Sequence, residues 1–139
     1  MTQFVIDASA VAPLTFWDEA HRLSEEEQTL VVTASLWAPG HWPFEVANML
    51  LVALRRGRIT DADHVRALGL LADLSVQFDD ESRDRAWSDA FDLAVADGLT
   101  LYDAAYLELA RRTGSGLLTL DAPLAAAARA RGIHTPLLS

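Results

Sequence analysis

The sequence contains neither cysteine nor lysine. Without cysteine, the chain has no disulfide bonds and no thiolate metal sites. Without lysine, it has no Schiff-base nucleophile, no P-loop lysine and no lysine of the kind that receiver domains keep beside their phosphorylated aspartate. All 11 basic residues are arginines, so a cationic role falls either to arginine or to a bound cation.

Long apolar segments are missing as well. The longest uncharged stretch, residues 28–44, contains Pro39, Gly40 and Pro43 and does not resemble the run of about 20 apolar residues that spans a membrane. The N-terminus shows no basic region followed by an apolar run, so no secretory signal is visible. We therefore expect a cytoplasmic protein without membrane contact.

The charge balance is acidic, with 20 Asp and Glu residues against 11 basic ones and a net charge of −9. This balance argues against a protein that binds nucleic acid by neutralising many phosphates. It does not exclude an enzyme that meets phosphate through bound cations. The 139 residues, 51% of them hydrophobic, predict a single domain over residues 1–139.

Short apolar runs alternate with helical segments along the chain. Strands are predicted at residues 3–6, 35–42, 75–78, 117–120 and 133–136. Helices are predicted from Ser9, at residues 18–32, 43–56, 60–74, 81–96 and 101–112, and at 123–131. The alternation predicts an α/β fold with a small parallel sheet of four or five strands. In such sheets the functional site lies beyond the carboxyl ends of the strands.

Four acidic residues stand at the boundaries of these elements. Asp7 and Asp121 each end a predicted strand, whereas Glu45 and Asp103 lie in the first turn of a predicted helix. Each has a local explanation, because carboxylates cap helix N-termini and favour the positive end of the helix dipole. Together they are expected to converge on one edge of the sheet, where four carboxylates repel unless a divalent cation binds among them. Oxygen ligands without cysteine or clustered histidine suit Mg²⁺ or Mn²⁺ rather than zinc.

The segments around these acids also resemble a known family. They are Asp7-Ala-Ser9, Pro43-Phe-Glu45-Val-Ala-Asn48, Leu101-Tyr-Asp103-Ala-Ala-Tyr106 and Leu118-Thr-Leu-Asp121. In this order and at this spacing, over nearly the whole chain, they resemble the PIN-domain nucleases. More narrowly, they are similar to the VapC toxins of bacterial type II toxin–antitoxin pairs.

The resemblance implies a three-layer α/β/α PIN-like domain in which Asp7, Glu45, Asp103 and Asp121 are catalytic and hold one or two Mg²⁺ or Mn²⁺ ions. It implies a metal-dependent endoribonuclease that cleaves RNA phosphodiesters, often in single-stranded loops of tRNA or other structured RNA, with a metal-activated water. It also implies a VapB-type antitoxin as the inhibitory partner, and a homodimer.

Three further residues are predicted to support the site or to contact substrate. Ser9, two residues after the first acid, either orients that carboxylate or caps a helix. Asn48 shares a helix face with the second acid and is placed to contact substrate or a metal-bound water. Thr119, two residues before the last acid, either supports the site or packs in the core.

Other polar residues have weaker signals. Arg55, Arg56 and Arg58 are expected to steer phosphate, although arginines at the end of a helix also complement its dipole. Tyr106 lies on the helix face of the third acid and suits either the core or the site. His41 precedes the second acid by one turn and can reach substrate, but ordinary polar contacts explain it equally well.

Two other functions fit parts of the sequence. A catalytically inactive PIN-like module that binds RNA or protein is expected to have lost metal ligands, yet all four acidic positions are filled. A phosphotransfer domain of the receiver or haloacid-dehalogenase type also has an aspartate after its first strand. The missing lysine argues against the receiver, and Ser9 occupies the position where the dehalogenase-like enzymes have a second aspartate.

Overall fold

Four short parallel strands form one sheet in this computed structural model, which describes residues 2–139. They are β1 (Gln3–Ile6), β2 (Ser35–Ala38), β3 (Gln77–Phe78) and β4 (Gly116–Leu118), in the spatial order β3–β2–β1–β4. Phe4 of β1 lies opposite Leu36 on one side and Gly116 on the other. A Cβ atom at Gly116 would come within 2.6 Å of the Phe4 ring, so this position of β4 requires glycine.

Helices flank the sheet on both faces, which confirms the predicted three-layer α/β/α arrangement. The α-helices are α1 (Ala12–Thr15), α2 (Glu25–Thr33), α3 (Trp42–Arg55), α4 (Asp61–Leu74), α5 (Ser82–Arg85), α6 (Asp89–Asp97), α7 (Leu101–Thr113) and α8 (Ala122–Ala130). Two 3₁₀ segments, Ser9–Val11 and Trp17–Arg22, lie in the connection between β1 and α2. None of the helices within residues 2–139 is long and apolar enough to cross a bilayer.

The core is built around β1, β4 and α7. Val5 and Ile6 of β1 and Leu117 and Leu118 of β4 are fully buried. Every residue of α7 from 104 to 110 is buried, as expected for a helix with neighbours on all sides. α7, whose first turn bears Asp103, thus packs against β1 and β4.

Two predicted helices are each interrupted. The helix predicted at 18–32 is a 3₁₀ segment followed by α2, which begins after Ser24 because Ser24 and Glu27 form a reciprocal capping box. The helix predicted at 81–96 is divided into α5 and α6 by a turn at residues 86–88. The capping box predicted at Thr60 and Asp63 is confirmed at the start of α4.

Strand boundaries also differ from the prediction. β2 ends at Ala38, because a turn at Pro39 and Gly40 leads directly into α3. Residues 133–136, predicted as a terminal strand, do not form one, although the His134 carbonyl accepts a hydrogen bond of 2.9 Å from the backbone N–H of Leu117. Pro136 has no N–H with which to continue a ladder.

Candidate active site

The four predicted acids lie along the carboxyl edge of the sheet. Asp7 directly follows β1, and Asp121 lies just beyond β4, where it caps α8. Glu45 is in the first turn of α3 and Asp103 is in the first turn of α7. The topology thus brings together residues that are far apart in the chain.

Asp7 is the most buried of these acids, with 4% of its surface exposed. One carboxylate oxygen accepts hydrogen bonds from the Ser9 hydroxyl at 2.7 Å and the Ala10 N–H at 3.1 Å, and the other accepts one from the Thr119 hydroxyl at 2.5 Å. Burial raises the pKa of Asp7 to about 6, although these hydrogen bonds favour the ionised form. The charge of Asp121 adds to the rise.

Ser9 and Thr119 connect the first acid to the last. The Ser9 hydroxyl also accepts a hydrogen bond of 2.8 Å from the Leu120 N–H, and the Thr119 hydroxyl accepts one of 3.0 Å from the Asp121 N–H. Both residues therefore fix the carboxyl ends of β1 and β4 relative to each other. Thr119 is fully buried and also donates a hydrogen bond to Asp7. It therefore both packs in the core and supports the site.

Glu45 is held by an aromatic pair. The Tyr106 hydroxyl donates a hydrogen bond of 2.7 Å to Oε1 of Glu45, and His41 Nε2 lies 3.0 Å from the same oxygen, although its ring N–H is not aligned for a hydrogen bond. The His41 contact, together with the Tyr106 hydrogen bond, lowers the pKa of Glu45 against the opposing effect of burial. The two rings pack edge to face with centroids 4.9 Å apart.

Tyr106 belongs both to the core and to the site. It is buried, and burial followed by the hydrogen bond to Glu45 raises the pKa of its hydroxyl, which therefore remains a donor. Its place on the helix face of Asp103 was the only sequence signal for this role. His41 gave a similarly weak signal through its spacing of four residues from Glu45.

Asp103 experiences the negative charge of the other acids. Thr100 caps α7 by accepting a hydrogen bond of 3.1 Å from the backbone N–H of Asp103. Burial raises the pKa of the Asp103 carboxyl first, and the charges of Asp121 and Glu45 raise it further. The half-buried carboxylate on this apolar helix face therefore lies within electrostatic range of two other carboxylates.

Asp121 has the local role that its position suggests, because its Oδ1 accepts a hydrogen bond of 3.0 Å from the Leu124 N–H. This bond occupies one carboxylate oxygen at the N-terminus of α8. The charge of Asp121 nevertheless raises the pKa of both Asp7 and Asp103. Helix capping and membership of the acidic group thus coexist in one residue.

The donor set suits a hard cation, although it is not already arranged as a cage. Within residues 2–139, no three acid or histidine side chains surround a common point as metal ligands would. None of the ion pairs in this part of the chain joins an arginine to any of the four acids. Carboxylate oxygens with uncompensated charge are the ligands that Mg²⁺ and Mn²⁺ prefer.

The structure gives less support to the other residues that were predicted to contact substrate. Asn48 is exposed on α3, one turn beyond Glu45. Arg58 pairs with Asp18 at 2.9 Å and with Glu19 at 2.6 Å, and this local network does not support the phosphate steering expected of it.

Arg55 and Arg56 are exposed at the far end of α3. At 1.5 Å per residue, they lie about 15 Å along the helix axis from Glu45. Direct contact with a phosphate held at the four acids is therefore not expected from them.

Comparison with known proteins bears on the family and the fold of the chain. No family model matches the chain. Over 123 residues it is 36% identical to Ribonuclease VapC3 of Pyrobaculum aerophilum, a match that covers 88% of this chain and 92% of that protein. The crystal structure of PAE2754 from the same organism superimposes with a TM-score of 0.64 and 26% identity, covering 91% of this chain and 84% of that one.

Proposed function

Because the chain belongs to the VapC family of PIN-domain ribonucleases, we propose that it is an endoribonuclease that requires Mg²⁺ or Mn²⁺ and acts as the toxin of a type II toxin–antitoxin pair. Family membership supports the class of enzyme, a nuclease that hydrolyses RNA. The metal dependence and the assignment of catalytic residues rest on the four acids.

The uncompensated charge of these acids is the observation that supports the proposal most strongly. Asp7 is buried and Asp103 is half-buried, and the pKa of each carboxyl is raised by burial and by neighbouring carboxylates. A protein that kept these residues only for its fold would gain stability by giving them a cationic partner. We assign Asp7, Glu45, Asp103 and Asp121 as the residues that hold the ion.

When bound, the ion supplies a Lewis acid that eases the ionisation of water and offsets the negative charge that develops on the phosphate. The chain's own residues prepare for this chemistry. Ser9 and Thr119 hold Asp7 in its ionised form by hydrogen bonding, and Tyr106 and His41 fix one oxygen of Glu45. Four carboxylates alone would repel an RNA phosphate, so the cation is also needed for binding.

The proposed partners follow from the family. The substrate is RNA, with tRNA as one class to test, and a VapB-type antitoxin is the inhibitor. We place the activity in the cytoplasm.

For the homodimer we propose a face formed by Phe91 and Val95, two exposed apolar side chains four residues apart on α6, together with the exposed Trp87 in the turn before it. Phe91 and Val95 share one side of the helix, so a second copy would cover both.

Cleavage of RNA by matched variants tests the proposal. We expect the wild type to cleave single-stranded RNA in the presence of Mn²⁺ and to be inactive in EDTA. Asp103→Asn should reduce the rate by roughly 100-fold or more, as removal of a group that stabilises the transition state does. Asp73→Asn, which neutralises an exposed aspartate in the last turn of α4, should leave the rate unchanged.

Full activity in Asp103→Asn would contradict the assignment of this residue, and cleavage in EDTA would contradict the metal dependence. An intact wild type that binds RNA or protein without cleaving RNA under any divalent ion would instead support an inactive binding module.

A further inference from the structure

An open groove of about 610 Å³ lies beside the acidic site. Its walls include the aromatic side chains of His41, Phe44, Phe78 and Tyr102. Phe44 is 79% exposed, Tyr102 is 63% exposed and Phe78 is 44% exposed. Three exposed aromatic rings around one groove form an apolar surface of the kind that marks a binding site.

The groove and the acids share one edge of the sheet. The groove is bounded by the segments that follow β2 and β3 and by the first turns of α3 and α7, whereas the acids follow β1 and β4. His41 connects the two regions, because its ring lies 5.5 Å from that of Tyr102 in the groove and its Nε2 lies 3.0 Å from Glu45. Tyr102 directly precedes Asp103. A chain bound at the acids would therefore continue into the groove.

The groove also differs from the acidic site in charge. Asp79, on its wall, is neutralised by Arg112 at 2.7 Å. Asp80 and Arg83 are also wall residues, with opposite formal charges, and Arg83 is exposed and forms no ion pair within the described part of the chain. An anionic polymer thus meets little repulsion here, and Arg83 is available to a phosphate at the rim.

We propose that this groove binds an unpaired nucleobase of the RNA, next to the phosphodiester held at the acids. The proposal rests on the proposed function and adds to it a subsite for one base. Aromatic rings stack on any base whose face is free, whereas a base within a duplex has both faces covered. A nucleotide bound in this groove is therefore unpaired.

Binding of a single-stranded RNA 12-mer by groove variants tests this inference. All variants are made in the Asp103→Asn background, so that affinity is measured without cleavage, and fluorescence anisotropy is recorded with Mn²⁺ present. Phe44→Ala and Phe78→Ala should each raise the Kd about 5- to 150-fold, the range found for loss of a base–aromatic stack. The same 12-mer paired with its complement should bind the parent weakly and should be insensitive to both substitutions.

Trp17→Ala is the matched control, because Trp17 is 75% exposed and neighbours Asp18, the partner of Arg58 beyond the opposite end of α3. It should leave the Kd within twofold. Melting temperatures near that of the parent would show that the variants are folded, as expected for exposed side chains.

Equal affinities in groove and control variants, or equal sensitivity with duplex RNA, would overturn the inference. So would unchanged RNA affinity combined with lost affinity for the product of an adjoining antitoxin gene, since the groove would then bind protein. Because binding is measured without catalysis, these outcomes are distinct from a failure of the wild type to cleave RNA, which would overturn the proposed function alone.

Discussion

The two ends of α7 both carry acidic residues, but only those at the C-terminal end are paired with an arginine. In the last turn, Arg112 contacts Glu108 at 2.8 Å and Asp79 at 2.7 Å. In the first turn, Asp103 experiences the negative charges of Glu45 and Asp121, and none of the ion pairs in residues 2–139 brings an arginine to it. One group of acids is neutralised from within the chain and the other is not.

The pKa values show the consequence. Burial alone would raise the pKa of Asp79, but hydrogen bonds from Arg112 and Ser82 outweigh it and hold the pKa below its usual value. At Asp103 burial acts in the same direction as the neighbouring carboxylates, and the pKa is raised. The same residue type on the same sheet edge is thus stabilised as an anion in one place and destabilised in the other. The difference supports the proposal that the second group binds a cation.

Removing the guanidinium of Arg112 should have the largest effect on stability. Arg112→Leu leaves Glu108, which is 3% exposed, without its cationic partner, and we expect the free energy of unfolding to fall by about 3 kcal/mol. Arg111→Leu, at the exposed neighbouring position on the same helix, should change it by less than about 0.5 kcal/mol. Urea denaturation measures both. Equal losses in the two variants would mean that the Arg112 network does not stabilise the fold.

Neutralising one aspartate in each group should give effects of opposite sign in metal-free buffer. Asp79→Asn loses charge-assisted hydrogen bonds with Arg112 and should destabilise the protein by about 2 kcal/mol. Asp103→Asn relieves repulsion from Asp121 and Glu45 and should stabilise it by about 0.5 kcal/mol. The comparison between the two regions would be wrong if Asp103→Asn were as destabilising as Asp79→Asn when EDTA is present.

The sequence predicted the architecture well because strand and helix signals alternate clearly along the chain. The parallel sheet, its three-layer arrangement and helices α3, α4, α7 and α8 were all expected, with boundaries shifted by a few residues. The errors lie where short-range capping competes with periodicity. Ser24 begins a new helix inside a segment whose pattern looked continuous, and residues 133–136 lack the pairing that would make them a strand.

The four acids of the site could be predicted from their residue type and their position in the sequence. Carboxylates at the boundaries of predicted strands and helices can be recognised from the sequence alone. The contact of Thr119 with Asp7 depends on how β1 and β4 pair, and the contact of Tyr106 with Glu45 joins residues 61 positions apart. Such contacts are set by packing and leave little trace in local patterns. The aromatic groove was missed for the same reason, since its residues come from three separate segments.

Direct binding of Mn²⁺ to the metal-free protein, measured by isothermal titration calorimetry, tests the central claim that the four acids hold a divalent cation. We predict saturable binding to the wild type and to Asp73→Asn, and an affinity at least about tenfold weaker for Asp103→Asn, because the affinity of an oxygen site depends on its ligand charge. Absence of binding to the wild type, or equal affinities in the wild type and Asp103→Asn, would contradict the account.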